Sequence, residues 1–127
     1  MISEDLVDIL QRPAFAHVAT IGPSGEPQSN PTWFEWDGET VNISQTPQKQ
    51  KLKNLQRDNR VALSILDPEN PYRYIEIRGE VVEITPDPDY RFIHGLSNRY
   101  LGKDYPWLQP GEERLVVKIR PLHTTTM

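Results

Sequence analysis

The hydrophobic positions of this chain change period several times along its length. From Ser3 to Leu10 they follow helical spacing. Leu6, Ile9 and Leu10 share one face, Ser3 stands where a cap belongs, and Glu4 and Asp5 fall in the first turn. Pro13 ends that segment. Phe15 to Ile21 reads as a strand, closed by the turn Gly22-Pro23-Ser24-Gly25. Pro27 to Glu35 is a second strand, Trp36-Asp37-Gly38-Glu39 a second turn, and Thr40 to Ser44 a third strand. Thr46-Pro47 then opens a helix, a hydroxyl cap followed by a proline preset for the first helical position.

Val61 to Leu66 is a short apolar run suited to a buried strand, ended by the turn Asp67 to Pro71. Tyr72 to Ile84 is the longest strand. Arg73, Ile75, Ile77, Gly79 and Val81 share one face, but beyond Val81 the phase flips to Val82 and Ile84. Gly79 beside that flip predicts a bulge or a sharp corner. Thr85-Pro86 repeats the helix-entry pattern, with Ile93, Leu96 and Tyr100 facing the core and Gly102 as the stop. Leu115 to Ile119 is the last strand, and Thr124 to Met127 reads as a frayed end. Six strands with short turns and two or three short helices predict a mainly β chain folded as a small antiparallel barrel. With 127 residues, one domain spanning 1–127 is expected.

Charge changes the picture locally. The net charge is −4, which argues against a nucleic-acid partner, yet Lys49, Lys51, Lys53, Arg57 and Arg60 form a cationic block. Lysines in the first turn of a helix oppose its dipole, which favours acids there. Clustered cations beside free amide N–H groups suit a phosphate or carboxylate. Such a face is often plain solvated surface. Helix geometry favours the other reading for Lys51, which points towards the stripe of Leu52 and Leu55, at the seam between helix and sheet. Lys49 and Lys53 project together.

Other chemistries fall away. The absence of cysteine removes disulfides, thiolate nucleophiles and Cys-ligated metals, and fits a reducing, cytoplasmic setting. No apolar run approaches a membrane span, so no membrane partner is expected. There is no Gly-x-Gly-x-x-Gly, no phosphate-cradling Gly-Lys-Ser/Thr loop and no Gly-x-Ser-x-Gly elbow. His17, His94 and His123 lie too far apart for a metal motif and read as strand-face or surface residues. If the chain is an enzyme, a cofactor carries the chemistry. The strand Gln28 to Phe34 places Pro31 in mid-strand, which suits an edge opening onto a ligand. Trp33, Phe34 and Trp36 could wall a flat ring there, or serve only as an aromatic core.

These segments carry a family resemblance over residues 14–120. His17-Val18-Ala19-Thr20, Gly25-x-Pro27, Asn30-Pro31-x-Trp33-Phe34 and Asp37-Gly38 come first. Lys51-x-Lys53-Asn54-Leu55-x-Arg57-Asp58-x-Arg60-Val61-Ala62 follows, then Asn70 to Tyr74, Arg78-Gly79 and Tyr100-Leu101-Gly102. In this order and spacing the set resembles the split-barrel flavin and deazaflavin oxidoreductases, which are similar to pyridoxamine 5′-phosphate oxidase. The likeness is greatest to the branch that uses coenzyme F420.

The resemblance implies a six-stranded antiparallel split barrel of the FMN-binding type. It also implies a homodimer with cofactor at the interface, and hydride transfer from reduced F420 to an electron-poor double bond of a small-molecule substrate. Asn30, Pro31, Thr32, Trp33, Ser44, Gln45 and Thr46 would flank the ring. Lys49 and Lys51 would hold the phosphate and acidic tail, with Lys53, Asn54 and Arg78 completing the set. Lysine at 49 and 53, where similar proteins often carry arginine, binds phosphate without a bidentate fork. Three alternatives stand beside this: FMN in place of F420, a non-catalytic carrier of cofactor or a tetrapyrrole, and an anion- or nucleic-acid-binding module. No proton donor is assigned.

Overall fold

The computed structural model describes residues 2–126. Its elements are α1 (Val7–Gln11), β1 (Ala16–Ile21), β2 (Pro27–Thr32), β3 (Glu35–Trp36), β4 (Val41–Gln45), α2 (Gln50–Arg57), β5 (Arg60–Asp67), β6 (Asn70–Pro86), α3 (Arg91–Leu101) and β7 (Leu115–Thr125). The strands form one sheet in the order β2-β1-β5-β6-β7-β4-β3, with every neighbouring pair antiparallel. Laid flat, β1 and β4 would lie about 19 Å apart, four inter-strand spacings. Yet Val18 of β1, Leu63 of β5, Ile77 of β6, Val117 and Ile119 of β7 and Ile43 of β4 belong to one fully buried cluster. The sheet therefore curls around its inward side chains as an antiparallel half-barrel, as the β-rich pattern predicts. Leu52 and Leu55 of α2 and Ile9 and Leu10 of α1 join the same core.

Seven strands form where six are predicted, because the segment Pro27 to Glu35 breaks. Phe34 turns inward to zero exposure, and its N–H is satisfied by the Tyr100 hydroxyl at 3.0 Å instead of a ladder carbonyl. The two halves become β2 and β3, at opposite margins of the sheet. Pro31 lies in an edge strand, as its missing donor requires.

Each helix starts later than its sequence signal. The Ser3 hydroxyl bonds the Asp5 carboxylate, residues 3–6 form a turn, and α1 begins at Val7. At Thr46-Pro47 the Thr46 carbonyl accepts from Lys49 N–H at 3.1 Å. Pro47 thus takes the second position of a turn, for which its fixed φ is equally suited, and Lys49 becomes the N-cap of α2. Thr85 and Pro86 stay in the sheet, paired with Val116 and Leu115. The N-cap position of α3 is Tyr90, and the leading N–H groups of Phe92 and Ile93 donate to the Asp87 carboxylate at 3.1 Å each.

The irregularities of β6 fall where the sequence marks them. Its register with β7 shifts at Arg78/Gly79 and again between Val81 and Glu83. A Cβ on Gly79 would stand 2.4 Å from the Arg120 carbonyl oxygen, so only glycine lets the two backbones approach this closely. Gly102 ends α3 at φ 75°. Two expectations are corrected. β5 is buried on one face only, with Val61, Leu63 and Ile65 inward and Leu66 exposed. The tail is not frayed over its described residues: Thr124 pairs with Ile77, and Thr125 with Glu76. Met127 lies outside the described residues.

Candidate cofactor site

Where the two margins of the curled sheet approach each other, a cleft opens between β2 and the end of β4. It has two connected chambers. One, of about 510 Å³, is polar and lined by Gln28, Asn30, Pro31, Thr32, Ser44, Gln45, Thr46, Lys49, Gln50, Lys51, Tyr105 and Arg114. The other, of about 540 Å³, is mainly apolar and lined by Phe15, His17, Pro31, Thr32, Trp33, Ser44, Ile93, Leu96, Tyr105, Trp107 and Arg114. Pro31, Thr32, Ser44, Tyr105 and Arg114 border both.

The polar chamber is built by the start of α2. This helix has no acid in its first turn and no side-chain cap, so its leading N–H groups lack an internal acceptor. Lys51 is only 7% exposed, lines this chamber, and has no hydrogen-bond or ion-pair partner among the described residues. Burial, with Lys49 as a further contribution, lowers its pKa below the ordinary lysine value. A largely buried, unpartnered cation beside an uncapped helix start is an arrangement that suits a phosphate or carboxylate.

Behind the lining, Asn54 is fully buried and ties the wall together. Its side-chain amide donates to Thr20 Oγ1 at 2.9 Å and Gln28 Oε1 at 3.2 Å, and its carbonyl accepts from Gln50 Nε2 at 2.8 Å. Gln28 passes the order on to Asn30 at 2.8 Å.

The apolar chamber has an aromatic wall. Trp33 stacks on Tyr100, with ring centroids 5.1 Å apart and planes at 12°. Tyr105 stands edge-on to Trp33 at 6.1 Å, and Trp107 edge-on to Tyr105 at 5.5 Å. Tyr100 is itself pinned, donating to the Ala14 carbonyl at 2.5 Å, and burial raises its phenol pKa. The segment between α3 and β7 that carries Tyr105 and Trp107 is held by Tyr105 N–H donating to His94 Nδ1 at 2.9 Å.

Nine of the twelve predicted site residues line the cleft: Asn30, Pro31, Thr32, Trp33, Ser44, Gln45, Thr46, Lys49 and Lys51. Lys53 is exposed and lines neither chamber. Asn54 lies behind the wall, and Arg78 lines a separate groove with Ala62, Gly79 and Leu122. Of the three aromatics in the Trp33–Trp36 stretch, only Trp33 lines the cleft. Phe34 is in the core, and Trp36 packs against the far side beside Ile2 and Val7. Sequence reasoning missed Arg114, Tyr105 and His17 as lining residues. The first two sit in a polar connection with no motif, and only the three-dimensional return of β7 beside β4 brings them to the site. Among the described residues no group of three or more His, Asp or Glu side chains could hold a metal.

Residues 2–127 match the family model of pyridoxamine 5′-phosphate oxidase. The chain belongs to that family. Among solved structures it is similar to an F420 reductase, at 39% identity and a TM-score of 0.90, over 99% of this chain and 100% of that one. It is also similar to a conserved hypothetical protein of Mycobacterium tuberculosis, at 27% identity and a TM-score of 0.77, over 98% of this chain and 83% of that one. The general stress protein 26 of Bacillus anthracis shares the fold at 19% identity and a TM-score of 0.72, over 95% and 89%. No significantly similar curated protein was found. Family membership and the reductase relative together support an oxidoreductase of the flavin or deazaflavin type. No helix among the described residues is long and apolar enough to cross a membrane.

Proposed function

We propose that this protein is an F420-dependent reductase, transferring hydride from the reduced deazaflavin to an electron-poor double bond of a small organic substrate. The observation that carries the reading is Lys51, a buried cation without a partner at the uncapped start of α2, one chamber away from an aromatic wall. A ligand with a flat ring and a phosphate-bearing tail fits that division. Lys49, Lys51 and the first N–H groups of α2 would hold the phosphate. Asn30, Thr32, Ser44 and Gln45 would meet the polar edge of the ring, and Trp33 would flank it. When bound, the deazaflavin supplies hydride chemistry; the protein binds, orients and excludes water. The similarity to an F420 reductase favours F420. FMN is the alternative, because its ring and single phosphate meet the same two chambers.

The working form in this reading is a cytoplasmic homodimer with cofactor at the interface. Phe15 and Trp107, both more than half exposed, stand at the mouth of the cleft, where a second copy would cover them. Arg78, away from the cleft of its own chain, would contribute from the partner or not at all.

A fluorescence titration of the purified apo-protein with coenzyme F420, beside FMN at the same salt, tests the proposal. Saturation by F420 at micromolar concentration or below, with FMN weaker, is the expected result. Preference for FMN would move the protein to flavin chemistry, and binding of neither would remove the cofactor reading. Light scattering at micromolar protein should give a dimer; a monomer that still binds cofactor would refute the interface site.

A further inference from the structure

Arg114 is the charged side chain that borders both chambers. It enters from the residue just before β7, and its side chain is only 12% exposed. Nε donates to Glu112 Oε2 at 2.6 Å, Nη1 to Ser44 Oγ at 3.2 Å, and Nη2 to the Tyr105 hydroxyl at 3.2 Å. The guanidinium carbon lies 4.8 Å from the centre of the Tyr105 ring. A guanidinium has five N–H donors. Three are used, so one on each terminal nitrogen has no acceptor among the described residues. The group is thus locked in place on three sides and has donors to spare at the junction of the chambers.

Given the proposed cofactor reading, on which this rests, we infer that Arg114 sets the redox preference of the site by favouring the reduced ring. The covalent structure of a flavin or deazaflavin supplies the link. The phosphate-bearing chain leaves the central ring at N10, midway between the benzenoid and pyrimidine rings, so polarity decides which edge turns inward. With phosphate in the lysine chamber and ring in the aromatic chamber, the polar pyrimidine edge would be the one turned towards Thr32, Ser44 and Arg114, which border both chambers. Addition of a hydride brings two electrons into the ring, and negative charge collects on the N1 and C2-carbonyl side unless a proton from water joins it. A fixed guanidinium there stabilises the electron-rich form more than the oxidised one. Glu112 sets the size of the effect, because its carboxylate offsets part of the charge. The inference is about relative affinity for two oxidation states, and is separate from the phosphate contacts of Lys49 and Lys51.

The test is a pair of anaerobic titrations of the folded protein with one cofactor, coenzyme F420 or FMN, whichever saturates the wild type, oxidised in one and chemically reduced in the other. The readout is the ratio of the two Kd values. Arg114→Gln should weaken the reduced form about tenfold more than the oxidised form, and Arg114→Lys should keep most of the wild-type ratio. Glu112→Gln should move the ratio the opposite way, tightening the reduced form, and does not depend on the Arg114 variants folding. Equal weakening of both forms by Arg114→Gln, or an unchanged ratio in Glu112→Gln, would overturn the inference and leave Arg114 as a latch on Tyr105. Failure of the wild type to bind either cofactor in either state would instead refute the cofactor reading, and this inference with it.

Discussion

The indole of Trp33 lies flat on the phenol ring of Tyr100, 5.1 Å between centroids and 12° from parallel. Trp33 belongs to the break between β2 and β3, Tyr100 to the last turn of α3. The stack therefore fixes the chamber wall from outside the sheet. The Tyr100 hydroxyl completes the joint, accepting from Phe34 N–H and donating to the Ala14 carbonyl. Tyr100→Phe keeps the ring but strands the Phe34 N–H without its acceptor. A loss of about 1–3 kcal/mol in unfolding free energy is expected, measured by denaturant melts. Cofactor affinity should change less than in Tyr100→Ala, which removes the ring on which the wall residue Trp33 stacks. Equal affinities in the two variants would show that the stack does not shape the site.

Lys51 carries opposite demands on stability and binding. The residue is 7% exposed and its ammonium has no partner among the described residues, so Lys51→Met should leave the apo-protein as stable or more stable in a thermal melt. The same change should weaken F420 or FMN by about 1.5–3 kcal/mol, roughly ten- to a hundredfold in Kd. Wild-type affinity in the folded variant would remove Lys51 from the site.

The pH dependence of that site has a defined sign. Burial, and then Lys49, depress the Lys51 pKa below its ordinary 10.5. In the apo-protein the penalty for the buried charge is present at low pH and is relieved as pH rises through the lowered pKa. Anion affinity should move the other way, falling as pH rises into that window while a Lys51→Met variant shows a flatter profile. Parallel pH profiles for wild type and variant would contradict this.

At the other end of the molecule, Asp67 is the hub that ties α1 to the β5–β6 hairpin. It accepts from Glu69 N–H at 2.8 Å and pairs with Arg73 and Arg12, each at 3.0 Å, while Arg73 also grips Asp8. The Glu69 N–H first, with the two arginines, holds its carboxyl down to about 2 from an ordinary 3.8. A depressed carboxylate stabilises the fold above its unfolded pKa. This contribution is lost as pH falls from about 4 through about 2. Asp67→Asn should therefore lower the melting temperature at neutral pH and reduce the acid slope in that interval. An acid slope identical to wild type would show that the hub is not a source of acid sensitivity.

Gly79→Ala should be destabilising by about 1–3 kcal/mol, because the new Cβ meets the Arg120 carbonyl oxygen at 2.4 Å. Neither backbone can yield without disturbing the β6–β7 ladder. Wild-type stability in a urea melt would mean that the strands can separate there at little cost.

Much of this architecture is legible in the residues. Alternation along β6 identifies its inward face, Gly79 its bulge, and Pro31 an edge strand, since each is a direct consequence of backbone sterics. Helix starts are less legible, because Thr46-Pro47 and Thr85-Pro86 serve a turn and a ladder as well as they serve a cap. Phe34 could be assigned to a strand or to the core only once Tyr100, distant in sequence, was known to take its N–H. Lys49 and Lys51 could be singled out as cleft residues because lysines at a helix start break a local rule, although Lys53 breaks it equally and faces outward. Arg114 breaks none, and its place follows from tertiary pairing alone.

Pro31 and Thr32 lie on one outer strand and Ser44 on the strand next to the opposite border, five steps away in the strand order, yet all three face the same cavity. A molecule seated there bridges an unclosed seam, so its fit gauges how tightly the sheet is rolled. Substitutions that straighten or tighten β5 and β6, far from any contact with that molecule, would widen or narrow the gap and register as altered affinity. Tuning by curvature would leave every lining residue unchanged, a route by which relatives with matching pockets could come to prefer guests of different girth.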